Sequence, residues 1–367
     1  MSSRAVVLGL ALTVSACLGA GEERARLDQE VGVGSAGGVE VTVEDGLAAI
    51  RSLAPGELTL WAGAPEITVR MDADADAVEE WTVTVLNCMP DAELGAAASS
   101  GRAAEETVVE EPLATRKTWF VVLPRGVETR LSIGASDSDL SGPFRFAVLS
   151  DIQDAIGEVQ DIFSALNRDP AIRFLVSTGD LTARGAESQI ERVQEELERL
   201  QVPVFTTIGN HDAGASDPSL WHDLFGRHSS HFHFKGVAFS LVDSAGASID
   251  PLVYRWLDSW LEGDADAVHL FFTHFPPLEP SGIRNGSFRS RAEAGKLVAR
   301  LVRGRVDAMF FGHVHSFYAF TLGGIPAYIS GGGGAYPVKL DNIGRHYLAV
   351  EVNPVTGVSA VAMVPVE

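Results

Sequence analysis

Cysteine is nearly absent: the 367 residues contain two, Cys17 and Cys88. If the first is either lipidated or removed with a leader, no intramolecular disulfide is available, and Cys88 reads as a buried, inert thiol on a strand. Basic residues are also scarce. Lys and Arg number 28 against 49 Asp and Glu, for a formal net charge of -21. A surface of that sign has no field to displace counterions from a polyanion, so nucleic acid is not expected as a partner. A small phosphorylated substrate remains compatible, because local cations decide its binding. The apolar run Ala5 to Ala16 is too short to span a bilayer as a mature helix.

That run follows the cationic start Met1-Ser-Ser-Arg4 and leads into Val14-Ser15-Ala16-Cys17. The pattern resembles a bacterial lipoprotein signal peptide over residues 1–16, with Cys17 as the lipidated first residue of the mature protein. An ordinary secretory signal cleaved a few residues away is the alternative. Both imply export; the first implies a lipid anchor in the cell envelope, on the periplasmic or cell-surface side. Residues 17–38, with the Gly-rich stretch Val31 to Gly38, lack apolar periodicity and read as a flexible tether. Residues 39–139 carry short β-forming runs such as Val39-Glu-Val-Thr-Val43, Trp81-Thr-Val-Thr-Val85 and Thr118-Trp-Phe-Val-Val-Leu123. Their spacing predicts a small antiparallel β-sandwich, with Glu93 to Glu106 as a surface loop. No ligand constellation stands out there, which favours a packing or spacer role.

From residue 143 to 365 the pattern changes to strand, helix, strand, helix, strand: Phe144 to Leu149, Ile156 to Leu166, Phe174 to Val176, Ile190 to Leu200, then Val204. Right-handed crossovers between such strands give parallel pairing and bring their polar ends to one sheet edge. Five blocks stand at such ends: Ser150-Asp151-Ile152-Gln153, Thr178-Gly179-Asp180, Gly209-Asn210-His211-Asp212, Thr273-His274 and Gly312-His313-Val314-His315. Singly each is a common turn or a satisfied buried histidine. The two imidazoles on alternate residues of the last block have few structural reasons to exist, and the ordered set has fewer.

The order resembles the calcineurin-like metallophosphoesterases, whose blocks run Asp-x-His, Gly-Asp, Gly-Asn-His-Asp/Glu, His, Gly-His-x-His. This chain departs from them at Gln153, where the family usually has His. The resemblance implies an α/β (α+β) fold, a four-layer β-sandwich flanked by helices, preceded here by the small all-β domain. It implies two divalent metal ions (Mn, Fe, Zn or Mg), one held by Asp151, Gln153, Asp180 and His315, the other by Asp180, Asn210, His274 and His313. A hydroxide between them would attack phosphorus, His211 would serve the leaving-group oxygen, and Asp212 would hold the His211 imidazole. The expected function is phosphate-ester hydrolysis, as phosphatase or phosphodiesterase, on a small phosphorylated substrate. Two alternatives remain: a metal-binding module impaired by Gln153, and a surface binding protein acting through the sandwich. Arg184, Arg284 and Arg289 are weaker phosphate-binding candidates, and His222, His228, His231 and His233 weaker substrate-facing ones.

Overall fold

The computed structural model describes residues 20–99, 105–109, 113–214, 217, 219–282, 285–337 and 343–366. The leader and Cys17 lie outside the described residues, as does Arg284. Among the described residues, no helix is long and apolar enough to cross a membrane.

The first unit is a sandwich of two five-stranded sheets. One has the order β1-β2-β5-β10-β7, formed by Val33–Ala36, Val39–Val43, Glu66–Ala73, Glu128–Ala135 and Ala92–Ala98. The other has the order β3-β4-β6-β9-β8, formed by Ala48–Ala54, Glu57–Ala62, Glu80–Leu86, Arg116–Val122 and Glu105–Val109. Alternation sets the core: Val39, Val41 and Val43 of β2 face Trp81, Val83 and Val85 of β6 within one buried cluster. β4 and β6 pair in parallel, against the antiparallel expectation. The reason is topological, since β5 crosses to the other sheet and the chain returns running the way it left.

Two sequence expectations fail here for physical reasons. The Ala-rich stretch read as a loop, Glu93 to Glu106, carries most of β7 and the first two residues of β8, each an edge strand laddered onto a central neighbour. Pairing to β10 and β9 overrides the weak β preference of Ala and Glu. Residues 20–38, read as a flexible tether, form a helix over 20–27 (α1), then a turn and β1. Arg24 of that helix makes a buried ion pair with Asp243 at 2.7 Å. Asp28 is enclosed against His222 and His228, a long-range anchor that local periodicity does not show.

The second unit packs two sheets face to face. β11 (Phe144–Leu149), β12 (Ile172–Ser177) and β13 (Val204–Thr206) are parallel, and β20 (His346–Asn353) and β21 (Gly357–Pro365) extend the sheet antiparallel. The other sheet runs β14-β15-β16-β17-β19-β18, from Ser230–Phe234, Val237–Val242, Val268–Thr273, Ala308–Phe311, Ile325–Ser330 and Phe317–Leu322. Phenylalanines fill the space between the sheets: Phe146 stacks on Phe174 at 5.7 Å and meets Phe239 edge-on at 5.3 Å. Helices α2 (Gln160–Asn167) and α3 (Glu187–Leu197), with the short α4 (Ser219–Leu224), cover one outer face, and α5 (Pro251–Gly263) and α6 (Arg291–Arg303) the other. This is the four-layer α/β architecture.

The two units share one buried cluster, which runs from Val39 and Trp81 to Phe146 and Phe310. Asn87 fastens them. Its amide donates to the Ala62 and Val204 carbonyls and accepts from Val204 N–H, all at 2.8 Å, so a sandwich side chain completes the pairing of the short strand β13.

Candidate active site

Parallel pairing delivers the polar blocks to one edge. Asp151 follows β11, Asp180 follows β12, Asn210 and His211 follow β13, His274 follows β16, and His313 follows β17. The connecting turns are cross-tied: Asp151 N–H donates to Gly179 O, Ile152 N–H to Asp180 O, and Gly312 N–H to His274 O. Space is so short that a Cβ on Gly179 would run into Gly209 N, and one on Gly209 into the Asp180 carboxylate. Asp151, Gln153, Asp180 and His313 all adopt positive φ, at 63°, 50°, 54° and 68°. Left-handed backbone at non-glycine residues stores strain, and here it gathers on the side chains that meet in the site.

Asp151, Asp180 and His274 are buried with ligand atoms within 4.8 Å of one another. Asn210 Oδ1 lies 3.0 Å and Asp180 Oδ2 3.4 Å from His274 Nε2. His315 Nε2 lies 3.3 Å from Asp151 Oδ1, a buried oxygen that accepts no hydrogen bond. The structure therefore brings together the ligand candidates read from the sequence. Gln153 joins them by its amide nitrogen, 3.0 Å from Asp180 Oδ2 and 3.3 Å from His315 Nε2. A half-turn of the terminal amide would present its oxygen instead.

Every imidazole here has a backbone carbonyl on one ring nitrogen, and a carbonyl cannot donate. So His274 Nδ1–H donates to Thr178 O at 2.9 Å, His313 Nε2–H to Asn285 O at 2.9 Å, His315 Nδ1–H to Tyr336 O at 2.7 Å, and His211 Nδ1–H to Ala183 O at 2.8 Å. The other nitrogen of each ring is left as the ligating or proton-transferring atom, the arrangement that orients metal-binding histidines.

Asp212 is placed differently from the expectation. Its oxygens accept from Leu181 N–H, Thr182 N–H, the Thr182 hydroxyl and Gly209 N–H, and His211 is held by the Ala183 carbonyl instead. Asp212 thus fixes the segment that carries Ala183 and acts on His211 at one remove. Sequence reading missed the carbonyls of Thr178, Ala183, Asn285 and Tyr336, since a carbonyl has no residue signature. Only Asn285-Gly286, a turn pair, gave a local signal.

The electrostatics suit a cation. Burial, then the neighbouring Asp180 charge, pushes Asp212 up to about 6. Burial would raise Asp180 and lower His274, yet their mutual attraction wins, holding Asp180 down at about 2 and His274 up at about 9. Burial and the charge of His274 push His313 down to about 4, so it is neutral. The proton on His274 sits where carboxylate, amide and imidazole donors converge. A divalent ion there would displace it, as ligand binding by histidine requires. The mixed donor set, the unpaired Asp151 oxygen and the oriented rings all fit divalent metal ions.

Beside the site lies a cavity of about 680 Å³, lined in part by Asn210, Phe275, Phe288, Arg289 and His313. Arg289 therefore borders the site, whereas the exposed Arg184 lines no part of this cavity. His222, His228, His231 and His233 do not face the site; the first two bind Asp28 and the last two Asp264.

Residues 144–317 match the family model for calcineurin-like phosphoesterases. This segment is a calcineurin-like phosphoesterase domain. It holds the five blocks, and the family works with two divalent metal ions. Over 153 residues, 40% of this chain, the protein is 28% identical to the 3',5'-cyclic-nucleotide phosphodiesterase alr5338 of Nostoc sp. strain PCC 7120. The match spans 57% of that relative's length. Among solved structures, a dimetal phosphatase from Danio rerio is 15% identical, with 61% of this chain and 99% of that one covered and a TM-score of 0.47. PhoD is 11% identical, with 82% and 87% covered and a TM-score of 0.49.

Proposed function

We propose that the protein hydrolyses phosphate esters with two divalent metal ions. Asp151, Gln153, Asp180 and His315 would hold one ion, and Asp180, Asn210, His274 and His313 the other, with Asp180 shared. The supporting observation is the pair of carbonyl-fixed imidazoles, His274 and His315, whose other ring nitrogens lie 3.4 Å from Asp180 Oδ2 and 3.3 Å from Asp151 Oδ1. When bound, such a pair neutralises phosphoryl oxygens and lowers the pKa of water at the site. The chain's own groups do the rest. Asp180 accepts His211 N–H at 2.9 Å, which sets the height of the His211 ring above the site. With Nδ1–H tied to Ala183 O, Nε2 of His211 faces the site, and in the imidazolium form it is the atom that would give a proton to the departing oxygen, leaving the neutral Nδ1–H ring. The adjoining cavity, with Phe275 and Phe288 on its walls, takes the substrate's organic part.

The substrate class is a phosphomonoester or phosphodiester, and the Nostoc relative makes a 3',5'-cyclic nucleotide the first diester to try. Hydrolysis of p-nitrophenyl phosphate, bis-p-nitrophenyl phosphate and cyclic nucleotides in Mn²⁺ tests the reading. His211→Ala is expected to lower kcat about a hundredfold or more with metal content unchanged. No metal-dependent hydrolysis of any of them by the parent protein would contradict it. A second reading, an impaired first metal site, is favoured by the Gln153 amide nitrogen, which occupies with N–H the place of a ligand oxygen. One tightly bound ion per chain and no turnover would support it.

The residues before α1 support export with a lipid anchor at Cys17. Radiolabelled fatty acid incorporated by the parent and not by Cys17→Ser tests this.

A further inference from the structure

A second cluster of histidines lies at the far end of the same sheet. His231 and His233 alternate with the core residues Phe232 and Phe234 along β14, so both imidazoles leave the outer face together. Their Nε2 atoms each lie 2.8 Å from Asp264, one on each carboxylate oxygen. His269, near the start of β16, sets its Nδ1 3.9 Å from Asp264 Oδ2. His274 follows the other end of that strand, about 17 Å away by strand rise.

Three features go beyond an ordinary ion pair. Asp264 Oδ2 is buried and accepts no hydrogen bond although His231 Nε2 is at contact distance, so the pair is misaligned for one. His269 Nδ1 is likewise buried without a hydrogen bond. And Asp264 caps the C-terminus of α5, where the helix dipole disfavours a carboxylate and a nearby cation would offset it. Behind these groups, Ser240 Oγ lies 3.1 Å from His231 Nδ1 and 2.8 Å from His269 Nε2. With His231 Nδ1–H donating to that hydroxyl and the hydroxyl donating to His269 Nε2, the Nε2 lone pair of His231 faces Asp264. Trp260 stacks on the His231 ring at 5.2 Å and holds its plane.

We infer that His231, His233 and Asp264 form a separate transition-metal site of zinc type, with His269 and Ser240 orienting the ligands from behind. Ligands about 2 Å from one tetrahedral ion stand about 3.3 Å apart. The donor atoms here lie within 4.8 Å of one another, with closest contacts of 2.8 Å, so small side-chain adjustments reach that geometry. Two imidazoles and a carboxylate leave the fourth position to water or to a donor from outside, and His233 is half-exposed, which gives an ion access. Imidazole-rich donors select zinc, cobalt or nickel over magnesium or calcium.

Zinc content per chain, measured on the intact protein after saturation and removal of free ion, tests the site. His233→Ala and Asp264→Ala are each expected to hold one zinc fewer than the parent. The Co²⁺-loaded parent is expected to show tetrahedral visible absorption that falls in His233→Ala. Equal zinc content in the parent and in both variants, each folded by circular dichroism, overturns the inference. The count is independent of turnover, so it stands or falls apart from the hydrolytic reading.

Discussion

Asp28 with His222 and His228, and Asp151 with Asp180 and His274, are two buried groups of nearly the same composition, and both could be taken for metal sites. Hydrogen-bond direction separates them. Around Asp28 the N–H groups point inward: the carboxylate accepts from His228 N–H and Ser229 N–H at 2.8 and 3.0 Å and has ring nitrogens of His222 and His228 at 2.8 and 3.2 Å. Those bonds hold its carboxyl well below the usual range despite complete burial. Around Asp151 and Asp180 the rings of His274 and His315 give Nδ1–H to carbonyls outside the group and turn Nε2 inward, where His274 carries a proton that a metal ion would displace, and one Asp151 oxygen stays unpaired. The first group surrounds its carboxylate with donors and welds α1 to the domain. The second keeps an unpaired carboxylate oxygen and a donor set that fits divalent ions.

The contrast breaks most sharply in a pair of variants. Asp180→Asn removes the carboxylate shared by both ions and is expected to lower kcat about a thousandfold or more and to lower metal content, while relief of the repulsion with Asp212 is offset by loss of the buried attraction to His274. Asp28→Ala leaves the donors of residues 222, 228 and 229 unmatched and is expected to cost about 3–5 kcal/mol of unfolding free energy with metal content unchanged. Parallel kinetics and urea denaturation of both proteins check the crossover. If Asp28→Ala lost metal while staying folded, the reading of that group as a structural anchor would fail.

Gln153 is the one neutral amide in the first ligand set that stands where the family usually has an imidazole. Replacement by His supplies an imidazole donor and is expected to tighten the first ion about tenfold, whereas Gln153→Ala weakens it, both read by metal titration. Unchanged stoichiometry and affinity in both variants would remove Gln153 from the ligand set. The smallest effect concerns pH. Burial and the neighbouring His222 push His228 down to about 4, so the unfolded chain takes up its proton first as pH falls. Stability is therefore present above the unfolded value of about 6.5 and falls between there and about 4, by at most about 1.4 kcal/mol per pH unit from this group. Urea midpoints at pH 7 and 5 give the slope, and His228→Asn is expected to flatten it.

Much of the site was legible because each ligand candidate stands in a short polar block after an apolar strand, and parallel strands bring such blocks to one edge. Asp151, Asp180, Asn210, His274, His313 and His315 converge on that logic alone. What escaped was non-local or had no side-chain signature. The carbonyls that set the tautomers come from segments far apart in sequence, and the expected pairing of Asp212 with His211 gave way to four donors from neighbouring loops. β7 and β8 exist because central strands need partners, although Ala and Glu do not favour strands. The anchoring of α1 depends on Asp243, more than 200 residues away. Asn87 gave no sign in the sequence that it would clamp β13 from another unit.

The central claim is that Asp180 joins two ions in one site. Low-temperature EPR of the Mn²⁺-loaded protein reads this directly. An exchange-coupled spectrum from a pair of ions is expected, collapsing to isolated Mn²⁺ lines in Asp180→Asn. A parent protein that shows isolated lines alone at every metal loading would contradict it.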